Sequence, residues 1–433
     1  MQHLTKWLNK SGKGLLIVFV SLSFLSLTAQ QLNHLTLEQA NQLAQQNYPL
    51  IKQKDLVRQT ADLTIANLNK QYLPQFSASG QATYQSDVTK VDVSLPGFKL
   101  EPPSKDQYKV LADVSQLVYD GGAIKQRKEL QQLNSEVEEQ KVEVELYKVK
   151  ERIDQLYLGV LFLDEQRKQV ELIKQDFNTG IKTVQSQVEN GVAFKSNLNV
   201  LKAELLKADQ RLIELNASRK GMLETLSLFF NQPVDSNAVL ERPVIQSQIS
   251  ANEITRPEIK LFADQNKLIN HQTKIIRANN QPKASLFVQG GYGRPALNLL
   301  KNEFDPFYIA GVRLNWSLGG LYTQRKEMQL VDINKRSIDI QKETFLLNTN
   351  TQLKQQQSEI DKLQQLVASD DEIISLRIQV KDAARAQLQN GVITANDYLR
   401  EVNAEDQARQ TLITHQLQLL QAQINYQTIS GKQ

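Results

Sequence analysis

The chain has 433 residues, 51 Lys and Arg against 47 Asp and Glu, no cysteine, and a mean hydropathy of −0.42. The missing cysteine excludes thiol nucleophiles, thiolate metal sites, disulfide scaffolds and a lipid anchor on an N-terminal cysteine. Lys6, Lys10 and Lys13 carry three of the four net positive charges, so the remainder is close to neutral and gives no charge-based reason to expect nucleic acid.

Those lysines precede the apolar run Gly14-Leu-Leu-Ile-Val-Phe-Val-Ser-Leu-Ser-Phe-Leu and a small, polar stretch ending at Ala29. This layout predicts a secretory signal peptide over residues 1–29. The run falls short of the roughly 18–20 apolar residues of a spanning helix, and no later run is as long. Residues 35–72 then read as helix interrupted at Pro49 and closed by Pro74.

Beyond Pro74 the hydrophobic period changes from 3.6 to 2. Phe76, Ala78, Gly80, Ala82 and Tyr84 share one face, against Ser77, Ser79, Gln81 and Thr83 on the other. After an irregular loop with Pro96-Gly97 and Pro102-Pro103, Tyr108, Val110, Ala112 and Val114 oppose Lys109, Asp113 and Ser115, giving a β-hairpin over 75–119. From Gly122 to about Val188 there is no proline and little glycine, so a single helix of roughly 100 Å is expected. Asn190-Gly191-Val192 marks a reversal. The returning helix carries Leu198, Leu201, Leu205, Ala208, Leu212, Leu215, Arg219, Met222, Leu226 and Phe229 at alternating steps of three and four, and Val170, Ile173, Phe177, Ile181, Val184 and Val188 match it on the outgoing helix. Such spacing predicts coiled-coil packing.

Residues 231–255, with Pro233 and Pro243, read as a linker, and the pattern then repeats. Tyr48-Pro49 corresponds to Arg256-Pro257 and Leu73-Pro74 to Gln281-Pro282, both at an offset of 208. Gly121-Gly122 corresponds to Gly319-Gly320, and Asn190-Gly191-Val192 to Asn390-Gly391-Val392. The expected organisation is therefore a first structural repeat over 30–230 and a second over 256–433. The second contains a β-hairpin over 283–318, in which Tyr308, Ala310, Val312, Leu314, Trp316 and Leu318 oppose Gly311, Arg313, Asn315 and Ser317.

Four strands of about 10 residues with one apolar face suit a soluble half-buried sheet or a membrane barrel wall, and the aromatic positions favour the second. Tyr84, Tyr108, Tyr292 and Tyr308 fall at the loop end and Phe76 and Trp316 toward the other, as two interfacial aromatic girdles facing lipid. Four strands cannot close a barrel, and an open edge in hydrocarbon leaves backbone groups unpaired, so several chains must pool their strands. The polar faces, with Gln81, Asp113, Arg313, Asn315 and Ser317, then line a water-filled lumen. The expected fold is mainly α, a long helical coiled-coil barrel plus four strands per chain.

Catalytic constellations are poor. His34, His271 and His415 are scattered without metal-ligand spacing, Gly290-Gly-Tyr-Gly293 ends a strand instead of opening a helix, and Asp370-Asp371-Glu372 reads as a solvated helix face. No enzyme is expected, and no cofactor or metal.

Leu35-Thr-Leu-Glu-Gln-Ala, Tyr72-Leu-Pro-Gln, Leu117-Val-Tyr-Asp-Gly-Gly122, Gly191-Val…Asn197-Leu and Gly391-Val-Ile-Thr…Asp397-Tyr-Leu occur in this order over the mature chain. In this the chain resembles the outer membrane efflux protein family, the TolC-like outer membrane factors. The resemblance implies a homotrimer with one twelve-stranded barrel in outer membrane lipid, continued by a helical tunnel across the periplasm. It also implies a periplasmic adaptor protein and an inner-membrane pump of the resistance-nodulation-division or ABC type, together exporting small molecules. Asn190, Gly191, Val192, Asn390, Gly391 and Val392 are then adaptor-docking tips. Asp397 matches an entrance carboxylate of some members, Arg400 stands where those members carry a second acid, and Asn197 replaces an acid in the first copy. A type I protein-secretion conduit of the same fold and a non-channel periplasmic scaffold are the alternatives.

Overall fold

The computed structural model describes residues 32–89, 102–244, 254–299 and 301–432. The expected signal peptide and Pro96-Gly97 lie outside them.

Strand β1 (Leu32–Leu35) leads into helix α1 (Leu37–Asn47). Thr36 caps that helix by accepting from the Gln39 N–H at 3.2 Å, while Gln39 accepts from the Thr36 N–H at 3.1 Å. The reciprocal pair satisfies two donors that a helix start otherwise orphans. Pro49 ends the helix, a 3-10 turn spans Pro49–Ile51, and α2 (Lys52–Lys70) follows. Strands β2 (Gln75–Tyr84) and β3 (Asp106–Tyr119) form the first hairpin. Helix α3 (Ala123–Glu189) runs 67 residues, about 100 Å, and α4 (Lys195–Phe230) returns along it. After β4 (Val234–Leu240), the second set comprises α5 (Pro257–Asn279), β5 (Lys283–Arg294), β6 (Asp305–Asn315), α6 (Gly320–Gln389) and α7 (Ala395–Ser430).

The four long strands make one antiparallel sheet in the order β2-β3-β5-β6. Both hairpins enter at the same end, and the helices hang from the other. Because the number of strands is even, the free edges β2 and β6 run in opposite directions. A copy of β2 laid against β6 is therefore antiparallel too, so the alternation can continue from chain to chain without a fault.

Below the sheet, α3 is the central rod, with α2, α4, α5 and α7 packed on it. The core is a seam along the rods with a knot near its middle. There Ile153, Tyr157 and Val160 of α3 meet Leu223, Leu226 and Phe230 of α4, Leu35, Ala40 and Ala44. A second cluster toward the reversals joins Val170, Phe177 and Val184 of α3 to Leu198 and Leu201 of α4 and Tyr398 and Val402 of α7. On α4 the buried positions move from the expected Met222 and Phe229 to Leu223 and Phe230, which are fully enclosed. A straight helix drifts about 20° per heptad from a strict 3.5 repeat, so over the roughly five heptads of α4 the seam shifts by about one residue.

Two sequence expectations need correction. Residues 231–255 are not only a linker, since β4 lies in them and pairs in parallel with β1. Tyr157 fixes that small sheet to the rod, its hydroxyl standing 2.7 Å from both the Leu35 and Glu241 carbonyls with its one proton shared between them. The last strand stops at Asn315 and not at Leu318. Trp316 leaves the ladder to donate its indole N–H to the Asn280 carbonyl at 3.1 Å. Among the described residues no helix is long and apolar enough to cross a membrane.

Candidate functional site

Cross-strand register decides which side chains share a face, because residues directly opposite in an antiparallel ladder point the same way. Phe76 pairs with Val114, Ala78 with Ala112, Gly80 with Val110 and Ala82 with Tyr108. Through β3 these continue to Val288, Gly290, Tyr292 and Arg294, with Gln116 on the same face meeting Leu286, and through β5 the rows run on to Leu314, Val312, Ala310, Tyr308 and Pro306. Apart from Gln116 and the Asp106–Arg294 pair at the loop end, one face of the sheet is thus apolar, and it is the exposed one: Phe76 and Tyr84 are each 78% accessible, Tyr308 77% and Val312 71%. A water-soluble sheet hides such a face, so this one calls for a covering of lipid or protein. Tyr84, Tyr108, Tyr292 and Tyr308 step down by one outward position per strand. In a barrel, whose strands tilt, a level ring crosses the register on such a diagonal.

The opposite face carries Gln81 beside Lys109, Asp113 between Ser77 and Gln289, Arg313 beside Ser285, and Asn315 beside Lys283. Gln289 donates to Asp113 at 3.4 Å. Ser317 does not belong to this set, since it lies past the end of β6; Trp316 likewise stands beyond the strand although it remains exposed. Five apolar side chains also stand on this inner face: Leu111, Leu117, Phe287, Phe307 and Ile309. Phe307 lies over Gly291, directly opposite, where an added Cβ would stand 2.5 Å from the ring. Phe287 lies over Gly311 in the same way, and the Arg313 guanidinium stacks on it at 4.5 Å. Rings laid flat on glycine keep the inner surface low.

At the far end of the rods the two reversals share the same backbone turn. Gly191 has φ +75° and Gly391 φ +69°, the left-handed values that favour glycine at a helix end. The N–H of Val192 donates to the Gln187 carbonyl and that of Val392 to the Gln387 carbonyl, each at 2.8 Å. Asn190 and Asn390 each donate a side-chain N–H back to the carbonyl four residues earlier at 2.8 Å. No atom of the chain lies within 4 Å of a Cβ built on either glycine, and Val192 and Val392 are about 70% accessible. The glycines are required here by backbone angle, and the valines stand free.

The helices that leave the reversals differ. Thr394 caps α7 by accepting from the Asp397 N–H at 3.3 Å, and the Asp397 carboxylate accepts from the Thr394 N–H at 3.1 Å and hydroxyl at 2.8 Å. Those bonds, with Arg400 at 3.9 Å, hold the Asp397 carboxyl below its ordinary value. Its nearer oxygen is thus committed to the helix start, a capping-box role the sequence reading did not assign. Arg400 also reaches Glu401 at 3.0 Å. In the first copy Phe194 stands at the cap position without a side-chain bond and is 81% accessible, and Asn197 is half-buried in the first turn.

Above the tips a charged cluster joins α3, α6 and α7. Lys381 bridges Asp176 at 2.9 Å and Glu405 at 2.5 Å; Arg385 adds a bond to Asp176 at 2.8 Å and Arg409 one to Glu405 at 2.6 Å. Burial works against the Lys381 charge, but the two carboxylates outweigh it and leave its pKa raised. Arg219, inside the seam, pairs with Asp164 at 2.7 Å and donates to the carbonyls of Ser236 and Ala238 in β4. The triplet Asp370-Asp371-Glu372 is not wholly a solvated face: Asp370 is buried against His415 at 2.5 Å, while Asp371 and Glu372 are exposed.

The family model described as outer membrane efflux protein matches residues 40–232. No curated protein matches the chain in sequence. The fold is similar to solved outer membrane proteins. VceC from Vibrio cholerae superposes with a TM-score of 0.64 at 15% identity, over 92% of this chain and 96% of that one. CusC, described by its transmembrane channel formation, gives 0.65 at 14% over 92% of each chain. The open-state MtrE outer membrane channel of Neisseria gonorrhoeae gives 0.64 at 13%, over 92% and 89%. The matching family model is described as an efflux protein and these neighbours as outer membrane proteins and channels, not enzymes. Residues 40–232 thus match the outer membrane efflux protein family model, and the chain as a whole has a helical-rod and β-sheet fold similar to that of solved outer membrane channels.

Proposed function

We propose that three copies of this chain pool their sheets into one twelve-stranded barrel and act as the exit duct of a tripartite efflux system. A periplasmic adaptor meets the tips, an inner-membrane pump of the resistance-nodulation-division or ABC type drives transport, and the product is a non-lipidated protein of the outer membrane. The observation that carries this reading is the sheet with two free, oppositely directed edges and an exposed apolar outer face, standing on rods of about 100 Å. Unpaired edges in hydrocarbon cost several kcal/mol per polar group, and joining β6 of one copy to β2 of the next removes them.

The experiment has two arms. Purified protein in a planar bilayer should give discrete conductance steps, and a silent bilayer contradicts the channel. Inner-membrane proteins recovered with it should be a drug-type pump and its adaptor; recovery of a protein-secretion exporter instead favours the secretion conduit. At the tips, bulky replacement of both Gly191 and Gly391 should abolish drug export at normal membrane levels. Unchanged drug susceptibility reduces the reversals to turns.

A further inference from the structure

The junction between strands and helices carries a feature that a channel wall alone does not require. Lys70 ends α2, Arg277 closes α5, Lys125 and Arg127 open α3, and Arg325 and Lys326 open α6. Topology brings all six to one level, because β2 and β5 begin there and β3 and β6 end there. Close contacts confirm the juxtaposition: Gln116 donates to the Tyr72 carbonyl at 2.5 Å, and Lys128 reaches Asn69 at 2.8 Å.

All six cations are exposed, and none has a carboxylate within 4.0 Å among the described residues. The nearby acids are otherwise engaged. Asp120 accepts from the backbone N–H of Gly122 at 2.8 Å and Ile124 at 2.6 Å, Glu129 faces His271 and Lys274, and Glu327 accepts from Thr323 at 2.7 Å. Lower on α3, by contrast, Lys141, Lys148, Lys168 and Lys174 are each paired to an acid three residues before, although Lys150, Arg152 and Lys182 are not. A helix start disfavours cations in its first turn, where Lys125 of α3 stands, while Arg127, Arg325 and Lys326 lie in the second turn, where the dipole has faded. Local helix energetics therefore do not account for Lys125 and supply no partner for the other three.

The second observation is aromatic. Tyr72, Tyr119, Trp316 and Tyr322 are exposed at the same level, just below the apolar outer face. Tyr119 reaches that side because the ladder slips between Leu117 and Tyr119, pairing it with the outward Ala284. Tyr and Trp with Lys and Arg are the residues that settle where hydrocarbon gives way to headgroups.

We propose that this collar binds the phosphates of anionic phospholipid in the leaflet on the helix side of the membrane. The inference rests on the reading of the sheet as a membrane wall. Charge complementarity selects the occupant: unpaired cations continuous with an apolar band match a phosphate continuous with acyl chains. A cation beside an anionic surface contributes about a fivefold gain in association.

Trp316 is a built-in reporter, since the only other tryptophan is Trp7. The protein in a Trp7→Phe background is placed in equimolar phosphatidylglycerol and phosphatidylcholine vesicles, with bromine on the chains of one lipid at a time. Brominated phosphatidylglycerol should quench Trp316 several-fold more than brominated phosphatidylcholine. That preference should shrink between 0.1 and 0.5 M salt, and should vanish when Lys125→Gln, Arg127→Gln, Arg325→Gln and Lys326→Gln are combined. Equal quenching by the two lipids in the unsubstituted collar overturns the proposal, and so does a preference that survives the four substitutions. If the cations instead pair with acids of a neighbouring copy, the fourfold variant loses its oligomer while the unsubstituted protein shows no lipid preference, which also overturns it. No quenching by either lipid contradicts the membrane reading itself, separating its failure from that of the collar. Should the fourfold variant not assemble, the salt dependence of the unsubstituted collar decides alone.

Discussion

Asp397 shows how a residue's position and its chemistry can be distinct. It stands three residues into α7, close to the second reversal, and its carboxylate completes the cap begun by Thr394. Because those bonds depress its folded pKa, the cap is fully present above the ordinary carboxyl value of 3.8 and is lost as pH falls through the lower folded value. Protection of the first-turn amides of α7, measured against their intrinsic exchange rate at each pH, should therefore be high at neutral pH and fall in strong acid. Asp397→Ala should lower that protection at pH 7 as well, read by hydrogen exchange of the 394–402 peptide. Asp397→Asn keeps an acceptor and removes the charge, so it separates the cap from the proposed entrance role; a lower cation preference in single-channel recordings supports that role, and unchanged selectivity leaves Asp397 a cap alone. The reversals were legible as Asn-Gly pairs because few residues tolerate a positive φ. The cap was equally present, as Thr394-Ala-Asn-Asp397, but the resemblance drew Asp397 toward the entrance.

Among the elements, the rods and the alternating strands were readable because each repeats its period many times. The pairing of β1 with β4 was not, since two short strands about two hundred residues apart leave no hairpin signal. Nor were the ties that hold the second helical hairpin to α3. Lys381 sits between Asp176 and Glu405 on two other helices, a contact set by packing and not by spacing along one chain. Replacing Lys381 with Met leaves both carboxylates short of a cation in a largely dry site, a loss of about 2–3 kcal/mol after allowing for Arg385 and Arg409. Lys381→Met should accordingly lower the melting temperature measured by circular dichroism, whereas Lys141→Met, at an exposed pair within α3, should change it little. Equal effects would show that the cluster is no tighter than surface pairs.

For the whole molecule, the claim to be tested is that the sheet is complete only among several copies. The apolar outer face was legible from alternation. Which inner positions lie flat was not, because the match of Phe307 to Gly291 and of Phe287 to Gly311 depends on register. An arginine facing lipid near mid-membrane costs about 2–4 kcal/mol, repeated in every copy. Val312→Arg should therefore prevent assembly, while Ser77→Arg, inward and opposite Asp113, should be tolerated; equal tolerance means the faces are reversed. The most direct measurement uses the absence of native cysteine. Ser79→Cys on β2 and Ile309→Cys on β6 lie at opposite edges of one sheet, about 16 Å apart across three strand spacings and a two-residue stagger, whereas closure puts them on adjoining edges of neighbouring copies. A short bifunctional thiol reagent applied to membranes should yield a covalent ladder that stops at three chains; monomer alone, or a ladder running past three, contradicts closure of the sheet into a trimeric barrel.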